Sequence, residues 1–348
     1  MAYTTINDPT QYFNTVLYSG NGTDDRSITG VGFQPDFLWV KNRSAANGHA
    51  LVDTTRGATA TLRSQASNAE ETESNGIQAF ESDGFQIGTS GLVNTSSNNY
   101  VSWNWLANGG TTSSNSDGSI TSTVQANTTA GFSIVSWTGT GADATVGHGL
   151  GVAPKVYMIK ARTRADSWIV GHTALGTSTY PYNLLLNQTS AKEGGSYDDY
   201  FTADASSTVL NLGSAGNVNG SSDTYIAYCF TPIKGYSKFG SYTGNGSTDG
   251  TFVYTGFKPA FVLIKRTTGT EDWFIYDSVR DTFNAVDSYL KPNTSGAEAT
   301  ASYGDLLSNG FKARNIFAAL NSSGEPYIYM AFAEAPFVSS DGVPTTAK

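Results

Sequence analysis

The chain has 348 residues, 38 of them glycine, with 12% aromatic but only 14% charged side chains, against roughly 25% charged in an ordinary globular domain, which argues against a helical bundle. A formal charge of −9 leaves no basic footprint for phosphates, so nucleic acid and anionic membranes are unsuitable partners. One cysteine, Cys229, excludes an intrachain disulfide framework and a multi-cysteine zinc site, and in its apolar run it reads as a small buried hydrophobe.

From the amino terminus, Met1 to Pro9 carries neither a basic stretch nor an apolar one, so synthesis in a cytoplasm without a secretory signal is expected. No run reaches the ~18 apolar residues of a membrane helix. The first strong signal is Tyr18-Ser19-Gly20-Asn21-Gly22, followed by the turn Gly32-Phe33-Gln34-Pro35 and the apolar run Phe37-Leu38-Trp39-Val40, closed by Lys41. That run lacks alternation, which predicts a strand buried on both faces. Ala50 to Asp53 is a further strand, Ala69 to Glu73 is expected to form at most a turn or two of helix, and Tyr100 to Trp105 is an aromatic strand.

Residues Ala107 to Ala130, rich in Gly, Ser, Thr and Asn, read as a connector. The landmarks then return. Trp137-Thr138-Gly139-Thr140-Gly141 and Tyr242-Thr243-Gly244-Asn245-Gly246 lead to Pro154 and Pro259, and the aromatic-to-proline spacing is 17 residues in all three copies. Lys160 and Lys265 sit six residues past those prolines, and Asp53, His172 and Asp277 each lie 18 residues past theirs. Tyr225 to Phe230 and Tyr327 to Phe332 repeat the closing aromatic strand.

The expectation is all-β: three tandem related units, each like a β-sandwich or jelly roll, because short Val, Ile, Tyr, Phe and Trp runs alternate with Gly, Asn, Asp and Ser turns. The units are placed at 1–108, 129–232 and 233–338, with a linker at 109–128 and a frayed tail at 339–348. Recurring aromatics such as Trp39, Trp103, Tyr225, Tyr327 and Phe332 are assigned to the core. Trp168 and Trp273, which stand where copy one has His49, are read as rim residues.

The search for chemistry yields little. A required general base would not change from Asp53 to His172 to Asp277, so that position is read as a polar strand end bonding a turn. The three histidines have no metal-ligand spacing, and Gly147-His148-Gly149-Leu150-Gly151 precedes a strand without a following Gly-Lys, so it is a turn and not a phosphate loop. Carboxylates such as Asp198-Asp199 and Glu70-Glu71-Thr72-Glu73 keep a depolymerase as a rival, while the reading preferred is not an enzyme, with no catalytic residues, metal or cofactor. Binding is assigned to Tyr180, Tyr182, Tyr197 and Tyr200, tyrosines beside acids and amides in a polar loop of copy two.

The phrases Gly30 to Arg43, Gly131 to Gly141 and Gly147 to Lys155 resemble a repeated domain frequent in virion structural proteins of marine tailed bacteriophages, especially those infecting cyanobacteria and abundant ocean bacteria. The likeness covers nearly the whole chain and carries no functional residues with it. It implies a particle component: a tail fibre or receptor-binding protein, alternatively a capsid decoration protein. Its expected partners are other virion proteins, further copies of itself (a trimer first) and a host-surface glycan or protein. The chain has no coiled-coil heptads and no fibrous shaft, a departure from an elongated fibre.

Overall fold

A computed structural model of the chain describes residues 3–194 and 199–346, without the side chains of 302 and 303. It is nearly all β. Residues 13–105 form β1 (Phe13–Ser19), β2 (Arg26–Thr29), β3 (Phe37–Asn42), β4 (Ala50–Asp53), β5 (Gly57–Leu62), β6 (Glu71–Thr72), β7 (Ile77–Glu81), β8 (Gly84–Ile87) and β9 (Asn99–Trp105). They make a large sheet in the order β1-β9-β3-β4-β5-β6 and a small one, β2-β8-β7.

The next third contributes β10 (Ser113–Asn115), β11 (Ser122–Asn127), β12 (Phe132–Thr138), β13 (Ala144–Gly147), β14 (Val156–Ala161), β15 (Ile169–His172), β16 (Tyr182–Leu185), β17 (Glu193–Gly194), β18 (Val209–Leu212) and β19 (Thr224–Phe230). The large sheet runs β10-β11-β12-β19-β14-β15-β16-β17, with β13-β18 as the small one. The last third has β20 (Ser237–Thr243), β21 (Phe252–Tyr254), β22 (Phe257–Arg266), β23 (Trp273–Asp277), β24 (Val286–Tyr289), β25 (Ala299–Leu307), β26 (Gly310–Ala313) and β27 (Pro326–Pro336), in sheets β20-β27-β22-β23 and β21-β26-β25-β24. The series β1-β9-β3-β4, β12-β19-β14-β15 and β20-β27-β22-β23 is one antiparallel motif built three times, and we call its copies units 1, 2 and 3.

Each large sheet is apolar on both faces. In β3, Leu38 and Val40 pack on the small sheet of unit 1, beside Ile28, Phe85 and Ile87. Phe37 and Trp39 point the other way, into a second core that all three units share. The same division holds for Tyr157 and Ile159 against Val156 and Met158, and for Val262 and Ile264 against Phe261 and Leu263. Successive strand residues point to opposite faces, so a strand between two cores reads as a continuous apolar run. The three units are therefore not separate beads: Trp103, Trp105, Trp168, Phe230, Trp273 and Phe332 close one central core between them.

Three local expectations change. Residues 109–128 are not a free linker: they carry β10 and β11, which extend the sheet of unit 2 beyond β12. Residues 69–73 hold β6 in place of helix, because Thr61 pairs with Glu71 and the acids are taken up by arginines. The segment after 338 is pinned as a turn by a Val338 to Pro344 bridge and by Asn7, whose Nδ2 donates to Ser340 Oγ at 2.6 Å.

Candidate functional site

The recurring polar position at the end of the fourth motif strand is the natural place to begin. Asp53 Oδ1 accepts from the amides of Thr55 and Arg56, Asp277 Oδ1 from those of Val279 and Arg280, and His172 Nδ1 from that of Ala174. Each side chain also reaches the next unit. Tyr228 donates its hydroxyl to Asp53 at 2.8 Å, Trp103 donates its indole N–H to Asp277 at 3.0 Å, and His172 Nε2 lies 3.3 Å from the carbonyl of Tyr329. The contacts run from unit 1 to 2, 2 to 3 and 3 to 1, so the units close a ring.

The exchange of Asp for His follows the partner. Tyr228 and Trp103 hold one register position on the closing strands β19 and β9, and the equivalent on β27 is Met330, which has no hydrogen to donate. Where the donor exists, the aspartate is joined by an arginine three residues on: Arg56 to Asp53 and Arg280 to Asp277, both at 2.5 Å and fully buried. Arg56 continues to Glu70 at 3.0 Å, which takes Arg162 of unit 2 on both oxygens; Arg280 continues to Glu298, which takes Arg43 of unit 1. At the seam of units 2 and 3 the corresponding residues are Leu175 and Lys192, and Lys192 donates to the Leu175 carbonyl at 2.8 Å. Burial works against the Arg56 charge, yet Asp53, Tyr228 and Glu70 outweigh it and hold its pKa above the ordinary value. Burial likewise opposes the Glu70 carboxylate, but Arg162 and Arg56 bring its pKa below the usual range.

His49, Trp168 and Trp273 are not at a rim. All three are buried and donate across the seams, His49 to the Lys291 carbonyl, Trp168 to that of Arg63 and Trp273 to that of Leu185. Lys41, Lys160 and Lys265 are buried beside them, and desolvation lowers the pKa of each to about 8. Lys41 donates to the Ser295 carbonyl of unit 3 and Lys265 to that of Thr189 in unit 2. The repeated polar residues thus hold the ring together.

Of the tyrosines assigned to binding, the three among the described residues do not form one cluster. Tyr180 is exposed, Tyr182 packs against the shared core with Lys192 4.1 Å above its ring, and Tyr200 packs against the other core, that of unit 2 itself. Tyr197 and Asp198 lie outside the described residues. The cleft between the sheets of unit 3, lined by Val262, Ile264, Tyr276 and Phe311, is walled by that unit's own core. Cys229 is buried, and burial pushes its thiol up to about 12. His148 sits in a turn with Gly149 and Gly151 at φ +71° and +70°, a backbone region open mainly to glycine.

Repeat comparison finds a surface that motif searching misses. On β2, β13 and β21 the inward residue is Ile28, Val146 or Val253, all buried. The outward neighbours are Ser27 and Thr29 in unit 1, Thr145 and Gly147 in unit 2, but Phe252 and Tyr254 in unit 3, which are 44% and 47% exposed. Tyr3 joins them: its hydroxyl lies 2.9 Å from that of Tyr254 and donates to the Gly256 carbonyl. Lys238 lies 5.2 Å from the Tyr254 ring and donates to its carbonyl at 2.7 Å, and Lys234 stands 4.7 Å over Tyr3. The result is a fixed aromatic platform with cations at its margin, suited to stacking on a sugar ring or an apolar side chain and to bonding the polar edge of either.

Among the described residues, no three His, Cys, Asp or Glu side chains converge as metal ligands. No curated protein and no solved structure matches the chain. One family match spans all three units, as their common core would require, and by it the chain belongs to the DUF7483 family, a domain of unknown function, over residues 8–336.

Proposed function

We propose that the chain is a non-catalytic structural protein of a bacteriophage virion, a tail-associated component that contacts the host surface. The observation that carries the contact role is the Phe252 and Tyr254 pair, aromatic and outward only in unit 3, on a strand whose inward residue is kept apolar in every unit. The assignment to a virion rests on the resemblance of the repeated phrases to phage particle proteins. A platform of this size gives weak contacts, with Kd on the order of millimolar, and the particle supplies avidity by presenting many copies. Further copies of the chain, a trimer first, are read as part of its assembly in the particle.

The test pairs location with adsorption. Immunogold labelling of purified virions is expected to mark the tail, and purified protein is expected to bind host cells and lose that binding on Phe252→Ser with Tyr254→Thr. Label on the capsid lattice would make the protein a decoration protein, and absence from the particle would overturn the virion assignment. Reducing ends released from host polysaccharide would overturn the non-catalytic one.

A further inference from the structure

Besides the exchange of Asp for His, the three seams differ at a second place, beside the opening strand of each motif. Opposite Tyr228, Met330 and Trp103 on the closing strands stand Ile134, Phe239 and Thr15. At the seam of units 1 and 2, β11 lies along the outer edge of β12, and Gln125, paired with Ile134, is fully buried. Its amide donates to Thr54 and Thr55 of unit 1, both at 2.8 Å. At the seam of units 2 and 3 no strand among the described residues lies along the outer edge of β20, and the bulk of Phe239 packs into the shared core.

At the seam of units 3 and 1 neither device is present. Thr15 is small, and no strand among the described residues lies along the outer edge of β1. A groove of about 240 Å³ remains, with Phe13 and Thr15 on one side and Ala260, Ser278, Val279 and Glu334 on the other. Ser278 and Val279 hold the positions of Thr54 and Thr55, so this groove corresponds to the space that β11 and Gln125 occupy one seam away. Two features mark the edge as made for a polar partner. Thr15 is 7% exposed as a residue, and its hydroxyl oxygen is buried with no hydrogen-bond partner among the described residues. The Thr15 amide is turned from the sheet and donates to its neighbour Asn14 Oδ1 at 2.9 Å.

We infer that this groove is a docking site for an extended segment of a partner polypeptide, which adds a strand to the edge of β1 and places an amide side chain, Gln or Asn, between Thr15 and Ser278. The main chain supplies affinity by pairing with the exposed edge, and the inward side chain supplies selectivity. The occupant is identified by the molecule's own precedent: the segment Ile120 to Thr129 fills the equivalent place at the next seam. This inference stands apart from the virion reading and from the aromatic platform.

The probe is a fluorescent peptide with the sequence of residues 120–129, titrated against the full chain and followed by anisotropy. Saturable binding is expected below about 1 mM. Thr15→Phe copies the self-filling residue of unit 3 and is expected to weaken binding at least about tenfold. Thr15→Ile copies unit 2, which accommodates β11, and is expected to retain binding; the thermal midpoints of both variants show whether the fold persists. No binding to the wild-type chain, or equal binding by a folded Thr15→Phe variant, overturns the proposal. Displacement of the peptide by free hexoses would overturn it in favour of a glycan site.

Discussion

Asp53 and Asp277 are buried carboxylates whose charge is met by one arginine each, so the arginine is the residue on which each of these seams depends. Removing one partner of a buried pair leaves an uncompensated charge and costs about 3–5 kcal/mol. Arg56→Met is expected to lower the free energy of unfolding by that amount in urea titration. The histidines make an acid-sensitive counterpart. His49, His148 and His172 share one pattern, with Nδ1 accepting from an N–H and Nε2 beside a carbonyl, which fixes the neutral ring. Burial lowers the pKa of His172 to about 4 and of His49 to about 3, against an ordinary 6.5. Below pH 6.5 the unfolded chain takes up protons that the native chain refuses, so stability is complete above that value and falls as pH drops toward 4. The loss is on the order of 3 kcal/mol for His172, read from urea midpoints across that range, and His172→Asn is expected to remove its share.

The strands were legible where a local pattern sufficed. The unalternating Phe37 to Val40 run announced burial on both faces, and the spacing of Pro35, Pro154 and Pro259 announced the repeat. What lay opposite the second face was not legible, because a continuous apolar strand has the same pattern whether it is covered by its own unit or by another. Trp168 and Trp273 were misplaced at a rim for that reason. The β10 and β11 segments were missed because Ser, Thr, Asn and Gly compose edge strands and flexible connectors alike. The candidate site was legible only in part: exposed tyrosines in unit 2 drew attention by composition, whereas Phe252 and Tyr254 stand out only when β2, β13 and β21 are aligned. Because these two rings point outward, Phe252→Ser with Tyr254→Thr is expected to shift stability by no more than about 1 kcal/mol in thermal or urea unfolding.

The central core makes the ring a single folding unit. Each unit contributes an aromatic face that would be exposed if the unit stood alone, including Trp103 and Trp105 of unit 1, Trp168 and Phe230 of unit 2, and Trp273 and Phe332 of unit 3. Calorimetry of the full chain is expected to give one transition with matching calorimetric and van't Hoff enthalpies. Residues 129–232 expressed alone are expected to bind a hydrophobic dye and to lack a cooperative melt. Three separate transitions would contradict the shared core.

The ring is tied covalently at two seams and closed at the third by non-covalent contacts, through Trp103, Asp277, Arg280, Glu298 and Arg43 and a backbone bond from the Glu298 amide to the Arg43 carbonyl. Residues 7 and 340 meet at that closure, where the Ser340 amide donates to Asn7 Oδ1 at 2.8 Å. A permuted gene that keeps every residue, joins the chain ends beside these two residues with a linker and begins instead between the exposed Thr111 and Thr112 would therefore encode the same circle of contacts from another starting point. Its product is expected to recover the native circular dichroism spectrum, since a ring has no first unit and reading order belongs to the ribosome alone.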